Sequence, residues 1–443
     1  TTVNLDFRGT IDIGSSEPLS LAVGGEYRNE NYAIEAGDPV SYSYGRTNNP
    51  AIVIRNQNGG FAAPGIQGFP GFSPNEAVDD GRDSYALYVD AETRFADKFL
   101  IGGAVRFEDY SDFGNTTTGK LSLRYDFTET FAVRGTVATG FRAPGVQQLF
   151  YSQRSTNIDP ATGLLADTLT ARQDSAVTRA FGIDPLKEEE STSATLGFSW
   201  RPNDNFSFTV DVFRIDIDDR IIFSSNIAPE TVGTNGLPCT PTNTNCPIRT
   251  ILAPFRVAQA QFFTNAIDTE TTGIDIVGEF STEAAGGTLD LTALLHWNKT
   301  EVTSRRSQSA ILSPTQLFDD SQVTLIEEGQ PGEHHILQGV WTRGNWDWTL
   351  RANYYGEVAG EGFTPGFKQT WDGATLFDAA VGWNVSDKLR ISIGGNNIFD
   401  TYPDKWDAVN AFPFPQLGFT YGWETLPFGI NGSYFYAKVD YRF

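Results

Sequence analysis

Few residues in this chain are placed to do bond chemistry. The histidines are three, His296, His334 and His335. His334 and His335 are neighbours, and neighbours in a strand point to opposite faces, so one metal ion would not take both. His296 falls on the polar face of an alternating segment. No GxSxG, HExxH or CxxC pattern accompanies them, so neither a nucleophile with its base nor a metal set can be assembled. The histidines read as surface or interfacial groups, and the expectation is a protein that is not an enzyme and carries no cofactor or resident metal. The Gly-rich stretch at 59–72 (GGFAAPGIQGFPGF) lacks the Lys-Ser/Thr end and following helix of a phosphate cradle and reads as a loop. Acidic runs at 78–83 (VDDGRD), 108–112 (EDYSD) and 216–220 (DIDDR) offer the oxygen ligands that Ca²⁺ takes, or are solvated strand ends. Cys239 and Cys246, the only cysteines, lie in CTPTNTNC with no His nearby, and read as a local disulfide made in an oxidising compartment. Arg142, in ATGFRAPG, could hold a loop through carbonyls or carboxylates, or touch a ligand.

The elements that must position these groups are strands. The chain has 443 residues, 13% aromatic, 44 Gly, 22 Pro and no Met, and a mean hydropathy of −0.29. No window reaches the roughly 18 apolar residues of a membrane helix, but a membrane barrel shows lipid only every second residue and stays near the hydropathy of a soluble protein. The formal charge of −23 argues against nucleic acid, whose phosphates call for Lys and Arg. The opening residues (TTVNLDFRGTIDI) already look like a strand and no signal peptide precedes them, so the chain reads as mature or truncated.

Alternation recurs along nearly the whole length. Residues 3–13 and 19–27 flank a tight turn; 85–95 meets 99–107, 121–127 meets 131–139, 194–200 meets 206–217, 273–280 meets 289–297, 336–341 meets 346–354 and 377–385 meets 389–393, each across a short turn. Leu121, Leu123, Tyr125 and Phe127 oppose Lys120, Ser122, Arg124 and Asp126. In the last thirteen residues (NGSYFYAKVDYRF) Phe435, Ala437, Val439, Tyr441 and Phe443 oppose Tyr434, Tyr436, Lys438, Asp440 and Arg442, as a closing strand would. Long loops near 30–80, 141–188, 220–260, 304–331, 356–372 and 398–431 separate the hairpins. Short turns alternating with long loops put all turns at one end of the sheet and all loops at the other, the outer-membrane arrangement of periplasmic turns and extracellular loops. Aromatics cluster at strand ends, where a headgroup girdle belongs. The fold class is therefore all-β, a transmembrane antiparallel β-barrel with about fifteen strands in this chain.

Three segments add a family resemblance. ATGFRAPGVQQLFYS (138–152) resembles the mid-barrel FRAP segment of TonB-dependent outer-membrane receptors, VDVFRIDIDDRI (210–221) their strand ending in an acidic, Arg-containing patch, and GGNNIFDTYP (394–403) their penultimate-strand NLFD segment. With the terminal aromatic strand, the resemblance covers essentially the whole chain. It implies a barrel of roughly 22 strands filled by an N-terminal plug, coupled through that plug to the TonB energy-coupling complex. It also implies insertion by the barrel-assembly machinery, residence in the bacterial outer membrane among its lipids and lipopolysaccharide, and uptake of a small-molecule nutrient of the siderophore, haem, cobalamin or saccharide class. About fifteen strands with no plug-like region imply that plug and early strands belong to residues or a chain outside this sequence. A passive porin-like channel, an adhesin-like barrel, an outer-membrane enzyme and a soluble β protein are the competing readings. Loop aromatics supply the candidate ligand contacts: Phe61, Phe69, Phe72, Tyr151, Trp371, Trp406 and Trp423, with Phe412 and Phe414. They could stack on flat ligand faces or pack loops together.

Overall fold

The computed structural model describes residues 1–43, 54, 65–66, 70–158, 165–240, 243–361, 367–409, 411, 415, 418–422 and 424–443. Its strands are β1 (Thr2–Ile11), β2 (Leu19–Ile34), β3 (Val78–Phe95), β4 (Phe99–Tyr110), β5 (Gly114–Thr128), β6 (Phe131–Arg142), β7 (Gln153–Ile158), β8 (Leu165–Thr170), β9 (Glu189–Asn203), β10 (Phe206–Phe223), β11 (Gln259–Gln261), β12 (Phe263–Ala284), β13 (Gly287–Arg305), β14 (Glu333–Arg343), β15 (Trp346–Tyr355), β16 (Val358–Glu361), β17 (Lys368–Trp371), β18 (Ala374–Ser386), β19 (Leu389–Asn396) and β20 (Tyr434–Tyr441). Short helices α1 (Pro39–Tyr42), α2 (Val146–Phe150), α3 (Ala176–Ala180), α4 (Pro247–Leu252), α5 (Pro314–Leu317) and α6 (Asp320–Glu327) lie in the connections. Among the described residues no helix is long and apolar enough to cross a membrane.

Fifteen strands form one antiparallel sheet in simple up-and-down order, β1 to β6, β9, β10, β12 to β15 and β18 to β20. Turns of two to seven residues join them at one end. One of the tightest, Ala285–Gly286, has φ of 50° and 76°, the paired left-handed geometry whose twist matches that of the flanking strands. At the other end the connections run long, at 35–77, 143–188, 224–262, 306–332, 356–373 and 397–433, with only 111–113 short.

The two faces of the sheet differ in kind. One carries Leu87, Leu196, Leu337, Leu350, Ile393, Phe435 and Val439, each more than half exposed. A continuous belt of this size is far larger than a soluble monomer tolerates and is what lipid would cover. Near the turns it ends in a chain of rings, Phe127–Phe131–Phe198–Phe208 and Trp341–Trp348–Trp346–Trp383, with centroids 4.7–6.1 Å apart. The opposite face is ionic: Arg94 to Asp126 at 2.5 Å, Arg106 to Glu108 at 2.6 Å, Arg390 to Asp347 at 2.6 Å. Arg134 and Asp211 pair across the intervening β9, and Gly197 makes room, since a Cβ there would lie 2.1 Å from the Asp211 carboxylate.

Several strands outrun their sequence limits: β10 reaches Phe223, β12 starts at Phe263 and β13 ends at Arg305. Beyond the apolar belt both faces meet water, so the period-two contrast fades while the backbone ladder continues. The closing strand is shorter than expected: Phe435, Val439 and Tyr441 lie in β20, and Phe443 lies beyond it, its ring 5.3 Å from that of Tyr441.

Candidate functional site

The loop end is a packed module. Phe181, Phe262, Ile267, Leu252, Leu312 and Leu317, drawn from three connections and the top of β12, form a core in which none is more than 2% exposed. Burying such side chains is worth roughly 1.5–3 kcal/mol each, enough to hold connections that would otherwise move as separate tethers. Beside it, β7, β8 and β11 make a small sheet. Arg154 binds it together, donating to Asp167 at 3.2 Å and to the Phe255 carbonyl at 2.7 Å. Asp167 has a fully buried side chain. Loss of solvent pushes its carboxyl up to about 6, against the pull of Arg154 and with a further push from Glu76.

The ATGFRAPG segment anchors this module to the wall. Arg142 makes two 2.6 Å hydrogen bonds to Glu189, the first residue of the next strand in the sheet. Glu189 is buried and also accepts from the Ile221 backbone at 2.6 Å. The Pro144 carbonyl accepts from buried Arg82, which lies 5.3 Å over the Tyr110 ring, and Tyr110 packs on Phe113 and Phe141. Of the two roles open to Arg142, the geometry shows it holding the loop.

The other motifs serve the same end. Asn397, at φ 47°, accepts from the Thr401 backbone and donates back to the Thr401 carbonyl, while its own N–H reaches Asp378 on β18. Asp400 accepts from the Ser433 backbone just before β20. GGNNIFD thus ties three strands together. In DIDDR, Asp219 bulges from β10 at φ 52° and pairs with Lys187 at 2.5 Å and Arg306 at 2.8 Å, and Arg306 also holds Asp268. In VDDGRD and EDYSD, Arg82 joins Glu30 at 2.7 Å and Asp112 at 3.4 Å. These carboxylates are engaged by arginine and lysine, and among the described residues no group of three or more candidate ligands could hold a metal ion.

Phe72 and Tyr151 meet edge to face with centroids 6.3 Å apart, both half-buried, and the Tyr151 hydroxyl bonds Gln153. Trp371 and Trp406 meet at 4.6 Å, 0% and 8% exposed, and hold the connections 356–373 and 397–433 together. Phe61, Phe69, Trp423, Phe412 and Phe414 lie outside the described residues. The cysteines form the Cys239–Cys246 disulfide, with Cα atoms 5.9 Å apart. His334 and His335 do face opposite ways, His334 stacking on Tyr355 and His335 on Tyr354, with the tilted ring of Trp297 4.4 Å from His335. The register sets His334 directly opposite His296, which bonds Asp275 at 2.6 Å. Glu189, Asp167 and Arg154 went unnoticed in the sequence, where Glu189 and Arg154 sit in polar stretches and Asp167 in a short run inside a long connection.

Residues 1–398 match the family described as TonB dependent receptor-like, beta-barrel. The chain belongs to the TonB-dependent receptor family. Its members are integral outer-membrane β-barrels and transporters rather than enzymes, which removes the soluble and enzymatic readings. The chain is similar to the vitamin B12 transporter BtuB of Vibrio vulnificus, 26% identical over 34% of this chain and 19% of that protein. With BtuB of Photobacterium profundum it is 32% identical over 17% and 12%. The ferric enterobactin receptor PfeA of Pseudomonas aeruginosa shares the fold at a TM-score of 0.64 and 15% identity, over 100% of this chain and 53% of that one. The FrpB iron transporter of Neisseria meningitidis does so at 0.60 and 13%, over 100% and 55%. The chain thus spans about half the length of these solved receptors, and its fifteen-stranded sheet is the corresponding part of a TonB-dependent receptor barrel.

Proposed function

We propose that this chain is the ligand-facing barrel portion of an active receptor, which captures a scarce nutrient at the loop end and releases it inward when a plug is rearranged by the TonB energy-coupling complex. The observation that carries this reading is the packed loop module: its 0–2% exposed core and its Arg142–Glu189 tether preorganise one surface. Preorganisation gives affinity, which a receptor needs and a diffusion pore does not. The six long connections are read as extracellular. Half-buried Phe72 and Tyr151, with the loop aromatics Phe61, Phe69 and Trp423, are the proposed contacts for a flat or ring-bearing ligand. Trp371 and Trp406 are assigned to packing between the connections 356–373 and 397–433.

The relatives are named for vitamin B12 and for ferric enterobactin, so a corrinoid and a ferric siderophore head the ligand panel, with haem and an oligosaccharide beside them. A net charge of −23 weighs against a strongly anionic ligand. The test is binding of this panel to the purified receptor, with uptake in cells carrying it. Saturable uptake of one ligand that a protonophore abolishes is the expected result. Unsaturable, energy-independent flux of small solutes through the receptor in liposomes would instead establish the passive channel.

A further inference from the structure

Where β6, β9, β10, β12 and β13 run into the loops, the described arginines and lysines hold carboxylates, with one exception. Arg142, Lys187, Arg214, Lys299, Arg305 and Arg306 each have one at 2.5–2.9 Å. Arg220 has none among the described residues. The bulge at Asp219, φ 52°, shifts the register between Ile217 and Arg220 and returns Arg220 to the face of Thr269, to whose Oγ1 its Nη1 donates at 3.3 Å. Thr269 pairs with Ile217, which by alternation shares the ionic inner face of Asp211. Arg142 stands on that face too, an even number of residues from Arg134 on β6, with Glu189 as its register partner. Asp218 and Glu190 oppose each other in the register on the other face, out of reach. Glu189 favours the charge of half-buried Arg220, but Arg142 opposes it, and loss of solvent, the largest effect, holds the guanidinium below its ordinary range. A desolvated charge with one neutral partner is costly to keep.

We infer that Arg220 receives one anionic oxygen group, a carboxylate or a phosphate, of the transported nutrient. This rests on the proposed receptor function and adds the ligand's chemistry to it. A guanidinium presents five N–H donors in a flat fork that matches two oxygens of such a group, and all but one of those on Arg220 are unused among the described residues. Arg142 opens the site to water. Its Nε and Nη2 are engaged by Glu189, its Nη1 is free among the described residues, and its side chain is 59% exposed. Glu189 opposes an incoming anion, but both of its oxygens already accept from Arg142. Two guanidiniums thus share one carboxylate, and the anion completes the set. The surplus is a single charge in a chain of net charge −23, so the site suits one acidic group on the ligand rather than a densely anionic one.

The experiment is hydrogen exchange of the loop-end amides of β10 and β12 in the detergent-purified receptor, in inorganic phosphate or in chloride at matched ionic strength, followed by binding of the ligand panel. Phosphate at about 0.1 M should slow exchange about threefold relative to chloride, as a site with a Kd of about 50 mM gives. The effect should vanish in R220Q, which keeps a donor for Thr269 but no charge. Equal exchange in phosphate and chloride overturns the inference without reference to any variant, and protection that survives R220Q overturns the assignment to Arg220. The panel member that binds should carry an anionic oxygen, and R220Q should weaken it by about 10- to 100-fold, with R220K retaining part of the affinity. A neutral oligosaccharide as the one ligand bound, or unchanged affinity in R220Q, also overturns the inference. Failure of the whole panel to bind counts against the proposed function instead, and the phosphate comparison then decides the anion site alone.

Discussion

Replacing Asp167 by asparagine should make the loop module more stable at neutral pH, against the usual expectation for a residue in an ion pair. Burial raises the Asp167 carboxyl from 3.8 to about 6 even with Arg154 at 3.2 Å. At about 1.4 kcal/mol for each pH step, the ionised form costs the folded module about 3 kcal/mol. The sign follows from proton counts. Between about pH 4 and 6 the folded state holds the proton and the unfolded chain does not, so stability falls as pH rises through that window and is flat above it. The amide introduced by D167N would mimic the protonated acid and escape the loss. Hydrogen exchange of the β8 and β11 amides, comparing D167N with the unsubstituted receptor at matched pH, reads the difference directly. At about pH 8 the opening constant should be about 100-fold smaller in D167N, and at about pH 4 the two should nearly coincide. Equal ratios at both pH values, or an unsubstituted module more protected at the higher pH, would refute the argument and show Arg154 outweighing the desolvation.

Arg142→Ala should loosen the 143–188 connection by about 1–3 kcal/mol: it leaves buried Glu189 with only the Ile221 N–H, discounted because Arg142 is 59% exposed. Limited proteolysis should then cut that connection first. Trp371→Ala removes a fully buried ring and should cost about 3–5 kcal/mol, seen as lost exchange protection in β16 and β17 while β14 and β15 keep theirs. Reducing the Cys239–Cys246 bridge should expose 231–247 to protease and leave the wall intact, because the bridge closes a loop confined to one connection. Once a ligand is known, Phe72→Ala and Tyr151→Ala should each weaken its binding by about tenfold, and unchanged affinity in both would remove this pair from the proposed contact surface.

What the sequence by itself determined is the wall. A strand that faces lipid on one side and a wet lumen on the other must alternate, so the pairing, the turns and the closing residues Phe435, Val439 and Tyr441 were legible one strand at a time. The family motifs were legible too, but not their work: ATGFRAPG and GGNNIFD turned out to be fastenings, because their partners Glu189, Arg82, Asp378 and Ser433 lie 19 to 62 residues away and only the fold brings them near. Tertiary structure alone decided the loop end. There the chain has no period, so nothing local marks Phe181 and Phe262 as core or Asp167 as buried. Trp371 and Trp406 could equally have faced a ligand until their packing set them 4.6 Å apart in the interior. A groove on the outer wall, between Trp297 of β13 and Val358 of β16, was invisible for the same reason. Its floor belongs to strands and its overhang to loops, and only their folding sets the two against each other.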